Sequence, residues 1–390
     1  MPGEKLNVRI IKSKKAYAEA IAEDVIVASD ERRDPRDSEF LATSPWQILS
    51  TESEQKAKLA IVRELLSGAK MANIELNFFQ SKKQWHYRNK MEYSFFGDED
   101  GLHLALHQRG SRSKLIVSGS SLADKRIDMA AQALVNELDA AHVWAGCLKS
   151  VIIRTTKTGD VAASLFTTKE DLRFISSSLA LKGLKIYYSN PKSPASVPTK
   201  LISSSGNTVL SDEILGRYFS YDADSFFQVN LDTYEGVLKR IRQEVGHGNV
   251  VDMYAGVGTI GLSSDAGTVE LIEINEISAG FARRNAEGTG LRAKIIVSGA
   301  ETATEHIKND QIIIFDPPRA GLHRKLIQAI LEKLPAKIVY LSCNPATLVR
   351  DLSLLSEAYE FCRLDIFNFF PKTPHIESLV VLNRKNKAMH

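Results

Sequence analysis

A chain of 390 residues is too long for one small core and predicts two or three domains. Hydrophobic content of 44% and charged content of 25% are ordinary for a soluble globular enzyme, and a net charge of +3 neither demands nor excludes an acidic partner. The three cysteines, Cys147, Cys343 and Cys362, exclude a disulfide framework and a CxxC metal site, and no stretch is apolar and long enough for a signal peptide or a bilayer span, so a soluble cytoplasmic protein is expected.

In chain order, Met1 to about Glu31 alternates weakly and predicts two short strands. The polar, proline-broken run "DERRDPRDSE" predicts a loop, and residues 52–69 carry a helical apolar pattern through Ala57, Leu59, Ile61, Val62 and Leu65. From about 76 to 220 the pattern is mixed, with strands such as "KSVIIRTT" and "DVAASLF" and a helix around "RIDMAAQALVNELDAA". From about 221 strands alternate with helices, which predicts a mostly parallel sheet covered on both faces, and "CRLDIFNFF" and "ESLVVLNRK" predict a closing antiparallel pair. The division expected is 1–40 as a short β segment, 41–220 as a central α+β domain and 221–390 as a Rossmann-like α/β domain.

"VVDMYAGVGTIGL" places Gly256, Gly258 and Gly261 in GxGxxG spacing between a strand and a helix. Glycines there permit a tight turn and close approach of a ligand, and Glu273 ends the next strand, where a carboxylate takes two hydrogen bonds from a ribose diol. Both NAD and S-adenosylmethionine present such a diol. "IIIFDPPRAGL" puts Asp316 and Arg319 at the carboxyl end of a central strand, the edge at which open α/β sheets bind ligands. In "VYLSCNPATLVRDL", Asn344 suits an N-cap and Pro345 the first helical position, so Cys343 lies just before a helix N-terminus at the same edge. The helix dipole favours a thiolate there by about 0.3–1 kcal/mol, which leaves most of the thiol protonated at neutral pH without a further activating group. Glu377 begins the last strand, in "PHIESLVVL". "SKKQWHYRNK" interleaves Lys82, Lys83, Arg88 and Lys90 with Trp85 and Tyr87, a pattern that suits stacked bases and phosphates and equally a half-buried strand with solvated lysines. His103 and His107 fall on one face of a strand without a third metal ligand in view.

The ordered motifs "DSFFQVN", "DMYAGVGTIGL", "IEIN…ARRNA", "FDPPRAGL", "LSCNPATLVRDL" and "FFPKTPHIESLVVL" resemble those of the RNA uracil-5 methyltransferase family, and "YRNKMEYSF", "LHQRGS" and "LKSVIIRTTKTGDVAASLF" resemble its central domain. The resemblance implies that Cys343 adds to carbon 6 of uracil and Glu377 later removes the carbon-5 proton. It places Gln228, Tyr254, Gly256, Gly258, Thr259, Glu273 and Asp316 at donor-binding positions for S-adenosylmethionine, and Phe226 and Arg319 at the target base. Trp85, Arg88 and Lys90 are expected against RNA around a flipped-out uridine. Family members often carry a cysteine-rich iron–sulfur segment; "DSEFLATSPWQILS" stands there with no cysteine, so no cluster is expected. The N-terminal segment resembles only half of the family's small β-barrel and is expected to pack elsewhere. A monomer acting on ribosomal or transfer RNA is implied, with "SCNPATLVRDL" leaning towards the ribosomal branch. The rival readings are an amino-group methyltransferase, which needs no thiol, and a catalytically inactive RNA-binding or folding protein.

Overall fold

The computed structural model describes residues 1–386 other than 2, 16, 110, 112, 173, 175–180, 194 and 195; Gly110 of "LHQRGS" and the last four residues of the expected C-terminal domain therefore lie outside the described residues. The N-terminal segment forms one antiparallel hairpin, β1 (Lys5–Ser13) with β2 (Ala18–Val27). All of its strand residues except the half-buried Leu6 are exposed, Val8, Ile10, Ile21 and Val25 among them. The expectation that this remnant packs elsewhere is corrected. It stands out from the rest, tied at its base by Glu4, whose carboxylate accepts hydrogen bonds from the N-terminal amine and from Arg32.

A one-turn helix α1 (Phe40–Thr43) precedes α2 (Thr51–Gly68). Ser50 caps α2 by accepting the Ser53 N–H at 3.1 Å, and Glu52 and Glu54 in its first turn suit the positive end of the helix dipole. Strand β3 (Glu75–Phe79) follows. The chain then builds a separate central unit from β4 (Lys90–Asp98), β5 (Gly101–His107), β6 (Lys114–Ile116), α3 (Lys125–Ala140), β7 (Leu148–Thr155), β8 (Val161–Thr167), β9 (Gly183–Tyr188) and β10 (Lys200–Gly206). Its seven strands lie in the order β10-β9-β8-β7-β4-β5-β6. Ile127, Ala131, Leu134, Val135 and Leu138, at helical spacing on α3, bury one face of that sheet.

A hairpin, β11 (Val209–Ile214) and β12 (Arg217–Asp222), leads into the C-terminal layers: α4 (Leu231–Val245), β13 (Asn249–Asp252), α5 (Thr259–Ser263), β14 (Thr268–Glu273), α6 (Glu276–Glu287), β15 (Arg292–Val297), β16 (Ile312–Phe315), α7 (Arg324–Lys333), β17 (Lys337–Ser342), α8 (Pro345–Leu355), β18 (Tyr359–Glu360), β19 (Arg363–Phe367) and β20 (Glu377–Arg384). The nine-stranded sheet runs β15-β14-β13-β16-β17-β20-β19-β3, with β18 also on β20. Every pairing is parallel except those of β20, which runs against β17, β18 and β19. The order reverses between β13 and β16, and the crevice at such a switch point is where ligands bind in open α/β sheets.

The boundaries expected at 41 and 220 do not follow the packing. Val62 and Leu66 of α2 join the core on one face of the large sheet, and β3 pairs parallel with β19, where Phe79 stacks on Phe367 at 4.6 Å. Leu210, Ile214, Phe219 and Tyr221 of the β11–β12 hairpin join the core on the other face. The central unit, β4 to β10, is thus inserted between two parts of the C-terminal fold.

A buried polar cluster fastens α2 to the segment that leads into β20. Glu54 and Lys58, one helical turn apart and wholly buried, pair at 2.8 Å. Lys58 Nζ donates to Asn368 Oδ1 at 2.7 Å and to the Phe370 carbonyl at 3.1 Å, while Glu54 accepts from Asn368 Nδ2 at 3.1 Å and from the Lys372 N–H at 2.9 Å. Removing Lys58 leaves the Glu54 carboxylate in the interior with only the more distant Lys372 ammonium, at 3.9 Å. Lys58→Ala should therefore lower stability by about 3–5 kcal/mol, read as a fall in the urea midpoint, and the double variant Lys58→Met, Glu54→Gln should lose less. A Lys58→Ala midpoint within error of the wild type would refute this role.

Candidate active site

The glycine turn leaves β13 at Asp252. Gly256 and Gly258 have φ of +55° and +87°, in the left-handed region that side chains avoid. A Cβ at Gly261 would lie 2.6 Å from Leu271 Cδ2, so this glycine lets α5 pack directly on β14. At Gly256 a Cβ would meet nothing within 4 Å, and the residue opens onto the cleft. The buried Asp252 carboxylate closes the turn by accepting the N–H groups of Gly261 at 3.0 Å and Tyr254 at 3.4 Å; burial raises its pKa to about 7. Glu273, at the end of β14, accepts the Gly256 N–H at 2.8 Å through one oxygen and the Asn275 N–H at 2.7 Å through the other. Each oxygen keeps a second lone pair for a ligand hydroxyl. An open glycine backbone beside an oriented carboxylate fits a nucleoside with a ribose diol, so the residues present suit S-adenosylmethionine.

The reactive groups meet at the same sheet edge. The antiparallel ladder between β17 and β20 ends on the pair Ser342↔Ser378. One step further along the same register sets Cys343 opposite Glu377. Asp316 follows β16, the parallel neighbour of β17. Asn344 caps α8 through the Ala346 N–H at 3.1 Å, and it also reaches back with Nδ2 to the Arg319 carbonyl at 3.0 Å. Thr347 Oγ1 donates to that carbonyl at 3.2 Å, and the Arg350 guanidinium donates to the Ala320 carbonyl at 3.0 Å. The loop after the two prolines is thereby held down on α8. Arg319 Nη2 donates to His375 Nδ1 at 3.4 Å, and burial with nearby cations lowers the His375 pKa to about 4, so the ring is neutral.

Electrostatics at this edge run against the dipole argument made from sequence. Burial, then Glu377 and Asp316, push the Cys343 thiol up to about 11, while Arg319 pulls the other way. A helix terminus worth about 0.3–1 kcal/mol does not outweigh burial beside two acids. Burial and then the Asp316 charge hold Glu377 well above the usual carboxylate range, opposed by Arg319, and its Oε2 has no hydrogen-bond partner among the described residues. Burial and then Asp252 raise Asp316 to about 7.

One cleft of about 1050 Å³ collects most of the expected residues: Phe226, Gln228, Tyr254, Gly256, Glu273, Asp316, Arg319, Cys343, Glu377 and Arg88 all line it. Gly258 and Thr259 are buried in the turn behind its wall. Trp85 and Lys90 do not line it. Trp85 is half-buried with the Arg36 guanidinium 4.2 Å from its ring centre, and Lys90 is half-buried with its pKa lowered to about 8, by burial first. Tyr87, read as a stacking platform, is buried, and its hydroxyl donates to the Pro371 carbonyl at 3.1 Å. Phe370 and His375 line the cleft and were not singled out from sequence, although both flank Glu377 in "FFPKTPHIE".

With the thiol so raised, iodoacetamide labelling of Cys343, followed on its peptide by mass spectrometry, should be slow at pH 8 and still climbing at pH 10. Arg319→Gln removes the charge that favours the thiolate and should slow labelling at pH 9 several-fold. A plateau below pH 9, or an unchanged rate in the variant, would contradict this electrostatic picture.

Among the described residues no helix is long and apolar enough to cross a membrane, and no group of three or more His, Cys, Asp or Glu side chains is arranged to hold a metal ion. A sequence profile of the family described as tRNA (Uracil-5-)-methyltransferase matches residues 51–385. An uncharacterized RNA methyltransferase of Caldanaerobacter subterraneus subsp. tengcongensis is 30% identical, over 98% of this chain and 92% of that protein. One of Enterococcus faecalis is 29% identical, over 98% of this chain and 91% of that protein. The crystal structure of Pyrococcus abyssi tRNA (uracil-54, C5)-methyltransferase in complex with S-adenosyl-L-homocysteine shares the fold, with a TM-score of 0.81 at 23% identity over 98% of this chain and 93% of that chain. The profile takes in the glycine turn, the Asp316 loop, Cys343 and Glu377 in one continuous match, and the chain belongs to the S-adenosylmethionine-dependent RNA (uracil-5-)-methyltransferase family.

Proposed function

We propose that the protein methylates carbon 5 of a uridine in structured RNA, transfer or ribosomal, through a covalent bond between Cys343 and carbon 6. The observation that carries this reading is the strand register that brings a thiol and a buried carboxyl to one sheet edge. The Cys343 sulfur, once deprotonated, bonds to carbon 6, and the ring electrons move to carbon 5. S-adenosylmethionine, when bound, supplies the electrophilic methyl group that carbon 5 takes up. Glu377 then removes the carbon-5 proton, the ring double bond re-forms and the sulfur leaves. Glu377 has to give up its own proton before this step, and the Arg319 charge is the neighbour that favours this, as it favours the thiolate.

Gln228, Tyr254, Gly256, Gly258, Thr259, Glu273 and Asp316 would hold the donor, directly or by shaping the turn. Phe226, Arg319 and Arg88 would hold the flipped base, and Trp85 and Lys90, outside the cleft, would serve only RNA that flanks it. Base flipping costs a few kcal/mol, and stacking on a side chain as exposed as Phe226 returns roughly 1–3 kcal/mol. The protein works as a monomer and without an iron–sulfur cluster: three cysteines fall short of the four thiolates that a cubane cluster takes.

Two variants separate the roles. Cys343→Ala should form no RNA adduct and transfer no methyl group. Glu377→Gln should add and methylate but release slowly, so a denaturing gel with RNA and donor should show a persistent protein–RNA band. Equal trapping by both, or normal turnover of Glu377→Gln, would end this division of labour. Anaerobically purified protein should be colourless and free of iron by elemental analysis; stoichiometric iron would refute the cluster-free reading. Mass mapping of 5-methyluridine in RNA from a deletion strain would identify the target.

A further inference from the structure

Arg154 of β7 is fully buried. Its Nη1 donates to the Phe227 carbonyl at 3.3 Å and its Nη2 to the Ser225 carbonyl at 3.1 Å. The guanidinium lies 5.2 Å from the centre of the Tyr221 ring, which itself stacks on Phe227 at 4.0 Å, and Nε has no partner among the described residues. The strand paired with β7 supplies a second anchor. Asn89, just before β4, donates from Nδ2 to the Gln228 carbonyl at 3.1 Å and from its backbone N–H to the Val229 carbonyl at 3.0 Å. Asn89 is fixed in turn by the Thr155 N–H, which donates to its carbonyl at 2.9 Å.

Two residues of the central unit therefore grip four carbonyls of the segment Ser225–Val229. Between the gripped carbonyls, Phe226 is left 72% exposed on the cleft, and Gln228 lines the same cleft. The Tyr221 side chain also bonds the guanidinium, and Asp212 and Asp224 act on it at longer range, while burial opposes its charge; well-packed apolar side chains often replace buried charges at little cost to stability. A guanidinium does supply two diverging N–H groups in a rigid plane, which an apolar side chain cannot.

Building on the function proposed above, we propose that Arg154 is a positioning residue, which holds the Ser225–Val229 strap from the central unit so that Phe226 and Gln228 face base and donor together. Arg154→Met should keep the thermal midpoint within a few degrees of the wild type. Amide exchange of Phe226–Val229 should speed at least tenfold, with β7 and β8 unchanged, and the single-turnover methyl-transfer rate should fall at least tenfold. Arg154→Lys keeps a charge and a similar stem but has no rigid fork, so it should show the same local exchange; it decides the matter if the Met variant does not fold. Wild-type exchange of the strap in a folded variant would overturn the proposal. So would faster exchange spread over β7 and β8, or a transfer rate that falls only in step with the melting midpoint. The exchange arm uses neither RNA nor turnover, so it stands even if the wild type transfers no methyl group to uridine, a result that would fault the functional reading alone.

Discussion

The direction of β20 governs the chemistry of this protein. In a parallel sheet only the carboxyl ends of strands reach the ligand edge, and each delivers a residue from a strand's finish. By running against β17 and β19, β20 brings a strand's start to that edge, and with it Glu377. Six successive cross-strand pairs, from Lys337↔Asn383 to Ser342↔Ser378, set the register. A slip of one residue would turn Glu377 to the opposite face of the sheet. The approach to β20 is fixed separately, through Asn368 and Phe370 on the Glu54–Lys58 pair, so the position of the carboxyl is specified from both sides.

The crowding of acids at this edge shapes the protonation of the cleft. Asp252 and Asp316 titrate near 7, Glu377 lies well above the ordinary range and the thiol is raised to about 11, with Arg319 as the opposing charge. These acids therefore hold their protons to higher pH than free carboxylates do. The folded state pays for this in its pH dependence. Both aspartates have folded values above the unfolded value of about 3.9, so the folded chain holds more protons between about pH 4 and 7, and stability declines as pH rises through that window.

Much of this arrangement was legible because it is written in short windows. The alternation of strands and helices after 221, the glycine turn, the acid ending β14 and the Asn344-Pro345 helix start each need only a dozen neighbouring residues, and each element is present. What escaped is written across long separations. Nothing in "ELNFF" says that it will pair with a strand nearly three hundred residues later, and nothing in "VIIRTT" says that its arginine will be buried against two carbonyls of another unit. "SKKQWHYRNK" misled for a related reason. Basic residues interleaved with aromatics describe both an RNA platform and a half-buried strand with solvated lysines; the stretch before Lys90 is no strand, and Tyr87 is buried with its hydroxyl bonded to Pro371. The thiol was misjudged in sign because a helix terminus is visible in sequence and the surrounding burial is not.

The late pairing of β3 also has a consequence for how the chain comes to be folded. Asn77 Nδ2 donates to Asp365 Oδ1 at 3.0 Å across 288 positions of sequence. On the ribosome, α2 and β3 emerge before the central unit, which follows with a core of its own. The strand that receives β3 is among the last to be made. For most of synthesis β3 is an open edge with an apolar face, the kind of surface that recruits foreign strands. The central unit closes early and leaves β3 to find the other eight strands of the large sheet, all made after it, so docking of α2 and β3 onto the finished C-terminal part is a step at which nascent chains are open to aggregation.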